Sequence, residues 1–228
     1  MAKRLTKEHL ETDPLLTSYY LFMGFIKRNK AAVISVSLAF VLVVGGGLFY
    51  YLNSQRNEVR AQELLAGPEM LFEQGLYEAA LLGDDTTGGA GLVDVINNYG
   101  RTRAGNLAHY YAAVAESELG NYTDALFYIE RFDPPRGILG VGPIALHAVI
   151  LSNLGELNQA GDIFVKAARW DENRSTTPQN LLNAAQAFIE AENFARANQV
   201  VSQIVSEYED SEIIDQVRRL EGMLAVRQ

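Results

Sequence analysis

Three histidines, His9, His109 and His147, are the scarcest polar groups in this chain of 228 residues. No two of them stand four residues apart, so no helix can offer the paired imidazoles of a zinc site. His109 and His147 fall in small or apolar surroundings on predicted helices, where an imidazole without partners serves packing. The carboxylates Glu207, Glu209, Asp210, Glu212 and Asp215 crowd one short stretch. Paired acids can hydrolyse glycosides, but these flank a predicted helix start, where negative charge favours the helix dipole, and they read as a solvated cluster. Asp84 and Asp85 lie in the glycine-rich stretch Gly83–Gly91. A cation site or a phosphate cradle would use such residues, yet the spacing matches neither an EF-hand nor a P-loop, and a plain insertion fits better. Nucleophile-elbow, Walker A and Rossmann motifs are absent. With no cysteine, disulfides, thiolate catalysis and cysteine-ligated metals are excluded. The expectation is a chain that is not an enzyme, with no catalytic, cofactor-binding or metal-ligating residues.

The elements around these groups are more informative. A turn recurs as Gly120-Asn121-Tyr122-Thr123-Asp124-Ala125, Gly155-Glu156-Leu157-Asn158-Gln159-Ala160 and Glu192-Asn193-Phe194-Ala195-Arg196-Ala197, at spacings of 35 and 37 residues. Gly75-Leu76-Tyr77-Glu78-Ala79-Ala80 resembles a fourth copy, 45 residues before Gly120, with the excess at the glycine-rich insertion. Ala113, Ala148 and Ala185 each precede their turn residue by seven, and Ala125, Ala160 and Ala197 each follow it by five. Tyr122, Leu157 and Phe194 come just after the turn, with Ile129, Phe164 and Val201 in the next layer. Small residues at constant offset let helices cross closely, and the large ones fill the layers between them. The pattern predicts helices at about 92–99, 105–119, 122–132, 143–154, 157–170, 178–192, 194–208 and 211–226. Pro134-Pro135, Gly140-Val141-Gly142-Pro143 and Thr176-Thr177-Pro178 are the expected separators, and Gly67-Pro68 an expected kink or break. Trp170 ends a repeat helix and is expected to pack in the core or between repeats. Arg218, Arg219, Glu221 and Arg227 give the last helix a polar side suited to capping an open end.

Ahead of the repeats, Ala31 to Leu52 run 22 residues without a charge, twelve of them Val, Ile, Leu or Phe. As a helix this run is roughly 33 Å long, against a hydrocarbon core of ~30 Å. It is too long for a signal peptide's apolar core, so an uncleaved span is expected. Lys3, Arg4, Lys7, Lys27, Arg28 and Lys30 precede it, and only Arg56 and Arg60 follow before Arg101. The positive-inside rule then keeps the N-terminus in the cytoplasm and exports the rest. Residues 14–26 are apolar but too short to span, and suit either an amphipathic helix at the cytoplasmic face or a docking segment. Residues 1–52 carry a net charge of +3 and residues 53–228 a net charge of −12. A domain that acidic is repelled by nucleic acid and by anionic lipid, which leaves proteins as its partners. The expected division is a cytoplasmic tail at 1–30, a transmembrane helix at 31–52 and an exported domain at 53–228.

The repeat resembles the tetratricopeptide repeat family over about residues 69–208. The fold that follows is all-α, an α-solenoid of helical hairpins preceded by one transmembrane helix. In that family the first helix of each pair lines the concave, protein-binding surface. Matching positions here are Tyr110, Val114, Ser117 and Glu118; then Ala145, Val149, Ser152 and Asn153; then Leu182, Gln186, Ile189 and Glu190. None is basic, so the carboxylate clamp of one family subset is not carried over, and an extended or partly unfolded apolar segment suits the surface better. Ile96-Asn97-Asn98-Tyr99-Gly100, Ala104-Gly105-Asn106-Leu107-Ala108 and Tyr110-Tyr111-Ala112, with the anchor and the acidic domain, resemble the YfgM-like ancillary subunits of the SecYEG translocon. That resemblance implies a periplasmic helper in a bacterial inner membrane, with translocon subunits, chaperones or exported chains as partners. The alternative is a scaffold for envelope assembly, secretion or cell division.

Overall fold

The computed structural model describes residues 14–83 and 89–226, whose regular elements are all α-helices with no strand among them. The chain divides into two compact units, one ending at Gln55 and one starting at Arg56. The first holds α1 (Pro14–Arg28) and the opening part of α2 (Lys30–Glu73). α2 contains an 18-residue window of mean hydropathy 2.4, none of it buried, and is long and apolar enough to cross a membrane.

The second unit begins with the last part of α2 and continues through α3 (Tyr77–Leu82), α4 (Leu92–Tyr99), α5 (Arg103–Glu118), α6 (Tyr122–Ile129), α7 (Ile138–Asn153), α8 (Leu157–Trp170), α9 (Thr177–Glu190), α10 (Phe194–Glu207) and α11 (Ile214–Ala225). From α4 onward each helix packs on the next in sequence, and α5 also touches α7. The core follows the same order. One apolar group joins Ala61 and Leu65 to Ala112, a second joins Ala113 to Ile150, and the largest runs from Ala148 through Phe188 to Leu224. On α11, Val217 and Leu224 face this core while Arg218, Arg219 and Glu221 stay exposed. Arg227 lies outside the described residues.

Four turns set the hairpins. Gly75, Gly120, Gly155 and Glu192 adopt φ of 74°, 80°, 81° and 57°. At the second turn, Gly120 N–H donates to Ser117 C=O at 3.1 Å and Asn121 N–H donates to Glu116 C=O at 2.8 Å. The same two bonds recur at Gly75/Leu76, Gly155/Glu156 and Asn193 with Glu192. This is the Schellman arrangement, which satisfies the last carbonyls of one helix and redirects the chain into the next. The residue after each turn, at φ near −85° and ψ near 60°, starts the new helix by accepting from the N–H of Ala80, Ala125, Ala160 or Ala197. All four alanines are fully buried, as are Ala113, Ala148 and Ala185 seven residues ahead of their turns. Ile129, Phe164 and Val201 are buried in the next layer. Glu192 alone carries a Cβ in the left-handed region. Glu192→Gly is expected to raise stability by about 1 kcal/mol, read from urea unfolding midpoints.

Two expected breaks are absent. α2 runs through Gly67 and Pro68 to Glu73, because Pro68 and Leu65 are buried and that packing outweighs the one lost helical bond. α7 starts at Ile138, so Gly140, Gly142 and Pro143 lie within it rather than before it. The break falls instead at Gly137, with φ 76°. Gly140 is buried because the indole of Trp170, which donates to Pro135 C=O at 2.9 Å, occupies the place of a side chain. A Cβ on Gly140 would meet that ring at 2.3 Å. α6 also ends early, at Ile129.

Gly161 in α8 lets α9 approach closely. A Cβ there would stand 2.5 Å from the ring of Phe188, which is fully buried in α9. Gly161→Val is expected to lower stability by about 1–3 kcal/mol in urea unfolding followed by far-UV circular dichroism.

Candidate protein-binding surface

The surface expected to hold a partner belongs to α5, α7 and α9, the first helices of three successive hairpins. The start of α5 is fixed by three acceptors. Glu58 takes the N–H groups of Arg103 and Ala104 at 2.7 and 3.2 Å, and the Thr102 hydroxyl takes that of Gly105 at 3.0 Å. These are donors that a helix start leaves free. Asn106 ties α5 to the following loop, donating to Asp133 C=O at 3.0 Å and accepting from Asp133 N–H at 2.8 Å. Tyr111 donates to Glu69 at 2.7 Å, and burial first, then that hydrogen bond, pushes its hydroxyl up to about 12.

On α5, Tyr110 is half-buried with its ring 5.3 Å from that of Phe132. Val114 and Ser117 are half-buried and Glu118 is exposed. On α7, Ala145 is half-buried and Val149 is 41% exposed. Ser152 donates to Ala148 C=O at 3.1 Å and Asn153 to Val149 C=O at 2.9 Å, so neither is without a partner inside its own helix. On α9, Gln186 and Glu190 are exposed and Ile189 is half-buried. Leu182 is not part of any binding surface. It is 1% exposed and sits in the core group that contains Ala148 and Ala185, with Ala145 packed against that group. Apolar side chains at this register close the space between neighbouring helices before any can face outward.

No family model matches this chain, and no curated protein or solved structure matches it. The remaining surface is therefore judged by its own chemistry. Its accessible groups are Glu118, Val149, Asn153, Gln186 and Glu190, with the partly covered Tyr110, Val114, Ser117, Ser152 and Ile189 between them. It carries two carboxylates and no positive charge, with amide and hydroxyl groups and one open aliphatic side chain.

His109 is buried and His147 half-buried. The Nδ1 of His109 has no hydrogen-bond partner among the described residues, and burial first, then the charge of Arg131, lowers the pKa of this imidazole. His147 is lowered chiefly by burial and further by Lys166, against an opposing effect of Glu130. Between the lowered folded value and 6.5, the unfolded state binds more protons, so stability rises with pH through that window. Urea midpoints are therefore expected to fall as pH drops below about 6.5, and His109→Gln should flatten the dependence. Among the described residues no cluster of His, Asp and Glu is placed to hold a metal ion. Glu207, Glu209, Asp210, Glu212 and Asp215 are all exposed. Asp84 and Asp85 lie outside the described residues.

The contacts of Glu58 and Glu69 were invisible to sequence reasoning. Each joins residues more than forty positions apart, and a half-buried glutamate inside the long α2 carries no periodic signal of what it meets.

Proposed function

We propose that the chain is a membrane-anchored, tetratricopeptide-type scaffold that does no chemistry and holds other proteins. The observation that carries this reading is the fourfold turn, with the same two hydrogen bonds, the same flanking backbone and a fully buried alanine five residues on. Helical hairpins repeated in this way bury their cores against each other and leave the open face of each first helix free for binding. The uncharged run at 31–52 and the basic residues before it support a single pass in a bacterial inner membrane with the N-terminus in the cytoplasm. The net charge of −12 beyond residue 52 favours protein partners over nucleic acid or anionic lipid. The role this suits best is an ancillary one beside the translocon, passing exported chains to periplasmic chaperones.

Mild crosslinking in intact cells followed by purification of the full chain tests the proposal. Recovery of translocon subunits or periplasmic chaperones is expected. Recovery of division or outer-membrane assembly proteins instead would move the same scaffold to the alternative role. Protease applied to spheroplasts should digest the domain after residue 52, and its protection would overturn the orientation.

A further inference from the structure

The first hairpin differs from the others. Between its turn at Gly75 and the next hairpin the chain inserts a glycine-rich stretch and then α4, which has no counterpart later. The two ends of the insertion meet. A Cβ on Gly91 would stand 2.3 Å from Leu81 C=O, and one on Gly83 would stand 3.1 Å from Gly91 N, so only glycines let these backbones approach so closely.

A groove of about 620 Å³ lies between α3, α4, the end of α5 and α6. Its apolar lining includes Leu82, 68% exposed, Leu119, 43% exposed, and the half-buried Tyr128. Its rim carries Glu78, Glu116 and Asp124, and no lysine or arginine lines it. Among the described residues the one ion pair is Arg196 with Asp162, so none of these three acids is neutralised by a neighbour. Asn121 donates to Glu116 at 2.9 Å and fixes that carboxylate on the rim. The charges of Glu116 and Asp124, after burial, raise the Tyr128 hydroxyl, which places both fields on the groove.

We propose that this groove receives a cationic apolar peptide segment, with large aliphatic or aromatic side chains on Leu82, Leu119 and Tyr128 and lysine or arginine on the acidic rim. The inference deepens the proposed scaffold role and rests on it. Charge complementarity decides the occupant. Anionic lipid and nucleic acid are repelled by the rim, and a second copy of so acidic a domain brings like charge to like.

The test uses the full chain in phosphatidylcholine nanodiscs, with empty discs as the blank, and a fluorescent peptide Lys-Leu-Leu-Lys-Leu-Leu-Lys read by anisotropy. Glu-Leu-Leu-Glu-Leu-Leu-Glu and Lys-Ser-Ser-Lys-Ser-Ser-Lys are the controls. The lysine–leucine peptide should bind, with both controls at least about ten-fold weaker. The triple change E78Q, E116Q and D124N should weaken binding about ten-fold and remove most of its salt dependence. Leu82→Ser should weaken it as well. Glu78, Leu82 and Asp124 are exposed and Glu116 is half-buried, and the amide replacements keep each side chain's size, so the variants should keep the parent's circular dichroism. Equal binding by the triple variant, or by the lysine–serine peptide, overturns the groove. If the crosslinked partners are still recovered in that case, the scaffold proposal stands and only the groove falls. If no partner is crosslinked and no peptide binds, both fall.

Discussion

Leu182→Asp should cost at least about 4 kcal/mol, more than any exposed change on the same helix. The side chain is 1% exposed in the core seam of α9, in the apolar group that also holds Ala148, Phe164, Ala185 and Phe188. Truncating a buried leucine already costs about 2–5 kcal/mol, and a carboxylate put there without a partner adds its desolvation. Because the core is passed from one helix to the next, loss of this layer should release α9, α10 and α11 first. Far-UV circular dichroism should fall, and proteolysis should cut first between α8 and α9. Val149→Asp is the contrasting change. Val149 is 41% exposed on α7, so the fold should persist while partner capture weakens. If Leu182→Asp left the helical signal and the urea midpoint unchanged, the seam described for α9 would be wrong, and Leu182 would return to the binding surface.

That contrast also marks how far the sequence could be read. The turns were legible because glycine permits the left-handed conformation at little cost, and even Glu192 was recognisable from the asparagine, aromatic residue and alanine after it. The fixed offsets of Ala113, Ala148 and Ala185 stated in advance which positions are fully buried. Where burial competed with local propensity, propensity misled. Gly140, Gly142 and Pro143 look like a linker, yet α7 includes them because Val141, Pro143 and Ile144 are buried and Trp170 fills the space over Gly140. The proposed binding face was only half legible. An apolar residue that seals two helices and one left open to solvent recur at the same helical period, and only packing separates Leu182 from Val149. The groove beside α4 left no motif, since its walls come from four elements and its chemistry appears only when Leu82, Leu119 and Asp124 converge.

Arginine at both position 41 and position 43 should free the chain from the membrane. Val41 and Val43 lie in the middle of the uncharged run and are 62% and 75% exposed, so neither supports any packing that the change would disturb. The twelve Val, Ile, Leu and Phe residues of the run favour insertion by roughly 4–7 kcal/mol at most. Two arginines near the centre oppose it by about 5–7 kcal/mol, enough to cancel the gain. In alkaline carbonate extraction the parent chain should stay with the membrane pellet, and V41R/V43R should move largely to the supernatant. A single Leu48→Arg, close to the end of the run, should have a much smaller effect, because its side chain can reach the headgroups. Intact mass of the membrane-bound parent completes the test. A chain retaining residues 1–52 supports a permanent anchor. A chain starting beyond the run would make the same helix a cleaved export signal and would leave the helical hairpins untethered.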